Sequence, residues 1–270
     1  MTDNSAYITC PLNIAALIVS GGCGTRFATG APKQYTLLHH QPVLSWSLNA
    51  FAFSPQITSI QVVIRPEDQH LYEQALAAHK TSLSSKDTGI ALLPPVFSGQ
   101  YRHESVYAGL QALAPTLPDY VMIHDAARPG LSQALLEQVI SHLAPDTGIA
   151  PYLNIPDLLR MKQGDGPYTD VERTHYIRVQ TPQAFPFALF YACYTKFMET
   201  GEIAPDDIFI FQKYGYLIRY ILGCPFNVKM TTPEDHAMLE KVLASHPHGH
   251  EHIDNALAGT APQQNRRRRI

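Results

Sequence analysis

Residues 14–35 (IAALIVSGGCGTRFATGAPKQY) constrain this chain more than any other stretch. Residues 14–19 are all apolar, which suits a short strand covered on both faces, as in a parallel sheet. The run stops at Ser20-Gly21-Gly22-Cys23-Gly24, where three glycines fall within five residues. Without a Cβ, glycine lets a backbone approach a ligand closely, and successive N–H groups can converge on an anion. Arg26 and Lys33 follow, two cations suited to a phosphate chain. Strand, glycine turn and cations together point to a loop that binds a nucleoside triphosphate. The two commonest phosphate motifs are absent. No Gly-Lys-Ser/Thr occurs here, and Phe27 stands where G-x-G-x-x-G requires its third glycine.

Downstream, strand-like and helix-like stretches alternate. Residues 42–51 (PVLSWSLNAF) place Val43, Leu44, Leu48 and Phe51 close to helical spacing, with Trp46 off that stripe. Residues 60–64 (IQVVI) read as a strand, and Pro66-Glu67-Asp68 opens a helix with proline and acids in its first turn. An apolar segment at 91–96, broken by Pro94-Pro95, leads through Ser98-Gly99 to a helical stretch at 104–113. Residues 120–123 (YVMI) predict a buried strand, followed by His124-Asp125-Ala126-Ala127-Arg128-Pro129. An acid just beyond a parallel strand lies at the sheet edge where open α/β sheets bind ligands. Helical periodicity at 131–143, a strand at 148–152, an aromatic-rich helix at 187–198 and a strand at 217–222 come next. Pro233-Glu234-Asp235 opens a last helix ending near Leu243. This alternation predicts an α/β fold with a doubly wound, mostly parallel sheet.

Residues 153–179 interrupt the rhythm. Met161-Lys162, Gln163-Gly164-Asp165-Gly166 and Pro167-Tyr168-Thr169 predict a projecting β-hairpin arm with a glycine turn. Its open edges call for pairing with a second subunit, or else the arm is a surface flap. Residues 1–13 read as an N-terminal extension, 14–244 as the domain, and 245–270 as a flexible tail. That tail carries His246, His248, His250, His252 and four arginines at 266–269, a pattern that on a mobile terminus specifies no ligand. A net charge of −3 over 270 residues gives no reason to expect nucleic acid or a polyanionic surface as partner. With 16% charged and 45% hydrophobic residues, the composition is that of a compact enzyme. Cys10, Cys23, Cys193 and Cys224 form neither a C-x-x-C pair nor a zinc spacing, and read as free thiols in a reducing compartment. No apolar run approaches the ~20 residues that span a bilayer. The N-terminus has no basic stretch followed by an apolar one. The expectation is a cytoplasmic protein.

Six segments occur in order: GGCGTRF with PKQY, G-x-x-R-x-x-S-V at 99–106, HDAARP at 124–129, Glu172-Arg173, TPQAF at 181–185 and NVKMTTPED at 227–235. Together they resemble the 2-C-methyl-D-erythritol 4-phosphate cytidylyltransferases of the non-mevalonate isoprenoid pathway, across residues 14–243. The resemblance implies a Rossmann-like nucleotidyltransferase that converts CTP and methylerythritol phosphate to the CDP-alcohol and pyrophosphate. It further implies that Arg26 and Lys33 stabilise the triphosphate as charge shifts, while Arg173 and Lys229 position the substrate phosphate. Ser20, Gly21, Gly22, Gly24, Gly99, Ser105, Asp125 and Ala126 match the nucleotide site. Asp125, Arg128, Arg173, Lys229 and Thr231 match the substrate site. Mg2+ is expected mainly on the triphosphate, with Asp125 as its protein ligand, and the arm is expected to form a homodimer that brings Arg173 to the neighbouring site.

Four departures from the family pattern stand out. Ser20 replaces alanine, and Ser98-Gly99 replaces a glycine pair. Leu158 stands where a threonine usually follows the aspartate, here Asp157, and Pro205-Asp206-Asp207-Ile208-Phe209 replaces a threonine-acid-acid-small run. These changes bear on the alcohol more than on the CTP chemistry. The competing readings are a CDP-ribitol-type synthase, another sugar-phosphate nucleotidyltransferase using UTP or GTP, and a non-catalytic relative or part of a fused pathway enzyme. Some relatives carry the next synthase of the pathway on one polypeptide. The stretch after Ala244 is too short for it, so transferase activity alone is expected.

Overall fold

The computed structural model describes residues 12–22, 32–82 and 89–244. Residues 1–11 of the extension, Cys23, Gly24, Arg26 and the histidine- and arginine-containing tail therefore lie outside the described residues.

Strand β1 (Ile14–Ser20) lies at the centre of the main sheet, as its unbroken apolar composition predicts. Its residues alternate between two cores. Ile14, Ala16 and Ile18 face one cluster, and Ala15 and Leu17 face the other. Both faces are therefore dry, which is why no polar residue interrupts the strand. β2 (Leu37–Leu38) and β3 (Gln41–Pro42) form a small hairpin off the main sheet. β4 (Ile57–Ile64) pairs parallel with β1, and the short β5 (Ala91–Leu92) and β6 (Val96–Phe97) pair parallel with β4. Pro94-Pro95 cannot donate to the ladder, which accounts for the gap between β5 and β6.

On the other side of β1 lies β7 (Tyr120–Asp125), again parallel. The chain then crosses to β8 (Thr147–Asn154) and sends out the arm, whose β9 (Leu159–Lys162) and β10 (Tyr168–Val171) pair antiparallel around Gly164. β11 (Ile177–Val179) returns along β8, and β12 (Gln183–Pro186) inserts antiparallel between β7 and β8. β13 (Leu217–Leu222) closes the edge, parallel to β8. The sheet is mixed but mostly parallel, with the hairpin arm projecting where residues 153–179 predict it.

Helices cover both faces. α1 (Val43–Ala52), α2 (Gln69–Ser82), α4 (Gln133–Ser141) and α7 (Pro233–Ala244) build one core with Ile18, Val62 and Met122. α3 (Arg102–Leu113), α5 (Phe187–Met198) and α6 (Asp207–Lys213) build the other with Leu17, Val63 and Ile123. There Phe185 and Phe190 stack with ring centroids 4.0 Å apart.

Two local expectations change. The helix at 42–51 was expected to bury one stripe, yet all ten residues of α1 are buried. Its polar groups are satisfied inside: Ser45 donates to the Ala75 carbonyl at 2.8 Å, Ser47 to that of Ala126 at 3.1 Å, and the off-stripe Trp46 to that of Leu38 at 3.0 Å. Asp68 does not open α2 either. It closes a 3-10 turn, Pro66–Asp68, and pairs with both Arg65 Nε (2.8 Å) and a terminal guanidinium nitrogen (2.7 Å).

The contact between Asn49 of α1 and His79 of α2 generates a prediction. The two side chains are buried and meet at 2.6 Å, His79 Nδ1 donating to Asn49 Oδ1. Burial, with Lys80 assisting, pushes the His79 pKa down from 6.5 to about 4. The unfolded chain takes up a proton here as pH falls below about 6.5, and the folded one does not until about pH 4. Stability is therefore present above pH 6.5 and is lost over that window, by about 3 kcal/mol in the limit. Urea unfolding at pH 7 and pH 4.5 should show a loss that His79→Gln reduces by one proton's worth of slope. An equal loss in the variant would remove His79 as its source.

Candidate functional site

At the carboxyl ends of β1 and β7 the sheet order reverses, with β4 on one side of β1 and β7 on the other. Crevices of open α/β sheets form at such points. A cavity of roughly 250 Å³ occupies this one. Its floor is the Gly21-Gly22 turn, Asp125, Ala126 and Ala127, and its far wall is Gly99 to Arg102 with Ser105. Lys33 and Lys229, from nearly opposite ends of the sequence, line it together.

The glycine turn is shaped from both sides. Gln34 donates its amide to the carbonyls of Ser20 (2.8 Å) and Gly22 (3.1 Å), so the turn is tied to the segment that carries Lys33. On the other side, Ser98 packs so closely that a Cβ on Gly21 would lie 2.5 Å from its own Cβ. Ser98 is accommodated against the turn because residue 21 has no side chain.

Asp125 ends β7 opposite Val19 of β1. Its backbone N–H donates to Thr181 Oγ1 (3.1 Å), and that hydroxyl is 3.1 Å from Nδ1 of the buried His124. His124 Nε2 is 3.2 Å from the Arg128 carbonyl. Burial pushes the His124 pKa down to about 3, so the ring is neutral, its Nδ1 accepting from Thr181 and its Nε2 donating to Arg128. The histidine therefore braces the HDAARP turn from inside the core.

Three cations converge on the Asp125 carboxylate. Lys229 Nζ lies 3.0 Å and Arg128 Nε 3.2 Å from Oδ2, and Arg102 Nε lies 3.6 Å from Oδ1. Burial alone would raise the pKa of this acid. Lys229, Arg102 and Arg128 outweigh burial and hold it well below the usual carboxylate range, so Asp125 is ionised. Among the described lining residues the cavity carries Lys33, Arg102 and Lys229 against one acid, which suits a polyanion.

Lys229 is placed by a buried amide interlock that the motif reading does not single out. Gln180 donates to the carbonyls of Cys224 (2.8 Å) and Asn227 (3.1 Å) and accepts from the Cys224 N–H (3.1 Å). Asn227 donates to the Thr181 carbonyl at 2.7 Å, and Arg128 to that of Asn227 at 3.0 Å. The Met230 N–H donates to the Ala127 carbonyl at 2.8 Å. A Cβ on Gly130 would lie 2.1 Å from the Phe226 carbonyl oxygen, so this close approach of two backbones requires glycine. Residues 223–230 are thus fixed against the turn after β7, and Lys229 with them.

Known proteins can be set beside this geometry. The family model described as IspD, 2-C-methyl-D-erythritol 4-phosphate cytidylyltransferase, matches residues 14–245. The chain belongs to the 2-C-methyl-D-erythritol 4-phosphate cytidylyltransferase family. Its relatives include the bifunctional enzyme IspD/IspF of Bartonella henselae, 37% identical over 244 residues, covering 87% of this chain and 59% of that protein. The protein of the same name from Brucella anthropi is 38% identical over 242 residues, covering 88% and 57%. The chain thus spans somewhat over half the length of the curated relatives it matches. Among solved structures, the 4-diphosphocytidyl-2C-methyl-D-erythritol synthase of Anaerococcus prevotii superposes with a TM-score of 0.72 at 25% identity, over 87% of this chain and all of that one. The Thermus thermophilus cytidylyltransferase shares the fold at 0.68 and 24% identity, over 86% and 100%.

The family's motif positions distribute unevenly over this structure. Ser20, Gly21, Gly22, Lys33, Gly99, Ser105, Asp125, Ala126 and Lys229 line the cavity. Arg128 touches Asp125 from behind, and the Ser105 hydroxyl donates to the Tyr101 carbonyl at 3.1 Å. Thr231 is not on the lining; its hydroxyl donates at 2.6 Å to Asp235 in the first turn of α7. Arg173 is also not on the lining. It sits in the arm, exposed, and donates to the Pro156 carbonyl. Gly24 and Arg26 lie outside the described residues. Gln34, Arg102, Thr181 and Asn227 fall inside the motif segments without a role assigned to them, and Gln180 lies outside those segments. A glutamine or asparagine inside an otherwise apolar or proline-flanked stretch was the available signal, because buried amides need partners.

Gln180→Ala removes three buried hydrogen bonds, two to the carbonyls of Cys224 and Asn227 and one from the Cys224 N–H, and the expected loss is roughly 2–4 kcal/mol in urea unfolding. A change below 0.5 kcal/mol would show that the loop holds Lys229 without this glutamine.

Proposed function

We propose that the chain catalyses cytidylyl transfer from CTP to 2-C-methyl-D-erythritol 4-phosphate, giving CDP-methylerythritol and pyrophosphate. The observation that carries this reading is the convergence of Lys33 and Lys229, 196 residues apart, on one cavity floored by the glycine turn and Asp125. Family membership adds the chemistry. An oxygen of the acceptor's phosphate attacks the α-phosphorus in line. The bond from that phosphorus to the bridging oxygen breaks, and pyrophosphate leaves with the electron pair. No side chain need become covalently attached, so catalysis consists of positioning and charge stabilisation.

In this reading Lys33, with Arg26, holds the triphosphate and stabilises the charge that builds on the leaving group. Lys229, with Arg173, holds the acceptor phosphate. Gly99 and Ser105 form the end of the cavity that admits a pyrimidine. Asp125, kept ionised by its neighbours, orients Lys229 and faces the ribose. It is the only carboxylate among the described lining residues, and no group of three candidate ligands occurs among the described residues. That donor set fits Mg2+ held chiefly by phosphate oxygens and water, with Asp125 its protein ligand. The ion would supply neutralisation of the triphosphate charge. The acceptor is the part of the proposal that depends on departures from the family: Leu158 is 67% exposed and has no hydroxyl, Ile208 is buried, and Phe209 is 39% exposed.

No helix among the described residues is long and apolar enough to cross a membrane, and Cys193 and Cys224 are buried and outside any disulfide. Both fit work in the cytoplasm, which recovery in a periplasmic or membrane fraction would contradict.

Pyrophosphate release measured with CTP, UTP, ATP and GTP against methylerythritol phosphate and ribitol phosphate tests the reading. Turnover is expected with CTP and methylerythritol phosphate. Turnover with ribitol phosphate alone would transfer the proposal to the sister reaction, and none with any pair would end it. Lys33→Ala and Lys229→Ala are each expected to lower kcat by about 100-fold or more, with unfolding unchanged. A rate near normal in either removes that residue from the mechanism.

The arm supports a homodimer in which Arg173 serves the neighbouring site. Leu158, Met161, Tyr168 and Tyr176 leave apolar surface exposed along it. Mixing Lys33→Ala with Arg173→Ala chains should then restore activity, because one site of each mixed dimer is intact. A mixture no better than the separate variants, or a monomer in sedimentation, would show that Arg173 does not act across subunits.

A further inference from the structure

Asp207 is wholly buried, and its carboxyl group meets Arg102 of the cavity wall from the rear. The preceding Asp206 caps α6, accepting from the Phe209 N–H at 2.9 Å, so Asp207 is not needed for that task. Its side chain turns inward instead. One oxygen accepts from the Tyr194 hydroxyl at 2.5 Å, and the other meets Arg102 at 2.6 Å. Burial and Asp207 together keep the Tyr194 phenol well above its ordinary pKa, so it remains a donor.

Arg102 is shared between two acids. It begins α3 and lines the cavity, 2.6 Å from Asp207 but 3.6 Å from Asp125. Burial works against the guanidinium's charge, and Asp207 and then Asp125 more than offset it, so Arg102 is a permanent cation. A carboxylate inside the protein is tolerable only with such a partner. The shorter contact fixes where the guanidinium rests.

We propose that Asp207 is a positioning residue for the transfer reaction: by drawing Arg102 to 2.6 Å at the back of the cavity, it limits that guanidinium to a 3.6 Å contact with Asp125 Oδ1 and leaves Oδ2 to Lys229 and Arg128. The proposal rests on the cytidylyltransferase reading above. Without the negative charge at 207, the nearest acid for Arg102 is Asp125. A guanidinium presents a fork of donors matched to a carboxylate, whereas Lys229 presents a single point charge. Arg102 would then compete with Lys229 for the same acid and pull the lysine's anchor away. The acceptor phosphate, which Lys229 holds, is the ligand that should suffer.

Asp207→Asn keeps the shape and removes the charge. The expected result is a 10- to 100-fold fall in kcat/KM for the acceptor, with an increase in the acceptor's KM. General loosening of the fold would instead lower the active fraction and leave KM unchanged. A double-mutant cycle with Arg102→Gln separates action through Arg102 from independent damage. In the Arg102→Gln background, Asp207→Asn should cost less than half, on a logarithmic scale, of what it costs alone. A cost of half or more, a loss confined to kcat, or a single variant within twofold of the unmodified protein overturns the assignment. Should Asp207→Asn fail to fold, Asp207→Glu keeps the charge but displaces the carboxylate from its 2.6 Å contact with Arg102. It is expected to raise the acceptor's KM three- to tenfold, and an unchanged KM overturns the proposal. Turnover in the unmodified protein with no effect of these variants refutes only the role of Asp207. No turnover in the unmodified protein refutes the reaction and this role with it.

Discussion

One ionised carboxylate organises the cavity. Asp125 stands at the end of a strand buried in the sheet, and Lys229, Arg128 and Arg102 reach it from three different parts of the chain. Cations that crowd together repel one another, and a phosphate-binding crevice needs them crowded before its ligand arrives. A central acid reconciles the two demands. It is less bulky and less charged than a triphosphate, so it holds the cations in place without neutralising them.

The rest of the fold serves to keep that acid and its partners stationary. Beneath Asp125, Thr181 and a neutral His124 form a hydrogen-bonded brace. Beside it, the carbonyl of Ala126 receives Ser47 of α1, and the carbonyl of Ala127 receives the Met230 amide. Side chains placed on strand ends and backed by satisfied hydrogen bonds are held more rigidly than those on free loops. Among the described segments, the one bearing Arg173 stands outside this network, on the solvent-exposed arm.

How much of this was legible in the sequence varied with the range of the interactions involved. β1 and β7 were readable because the stretches covered on both faces, residues 14–19 and 120–123, carry no charged or small polar side chain. Helix α5 was predicted at its observed bounds because its aromatic periodicity is strong and a proline precedes it. Helix α6 was not predicted. Its seven residues are too few for a periodic signal, and its sequence DIFIFQK alternates like a strand. The antiparallel direction of β12 was also hidden, since strand direction depends on the path of the arm and not on composition. At the site, residues whose chemistry is visible by type, such as Lys33, Asp125 and Lys229, were found from motifs. Gln34, Gln180 and Asn227 act through backbone carbonyls distant in sequence, and nothing local to them announces which carbonyl each will meet.

The contact between Gly130 and the carbonyl of Phe226 constrains how this architecture can vary over time. Two turns nearly a hundred positions apart touch main chain to main chain, with no side chain between them to absorb a change in length. An insertion in either would drive Lys229 off its carboxylate. Drift in chain length is consequently channelled elsewhere, and the tip of the arm, where Gly164 and Gly166 turn in open solvent, is the place able to take it. The arm could thus change length at its tip while the crevice itself stays frozen.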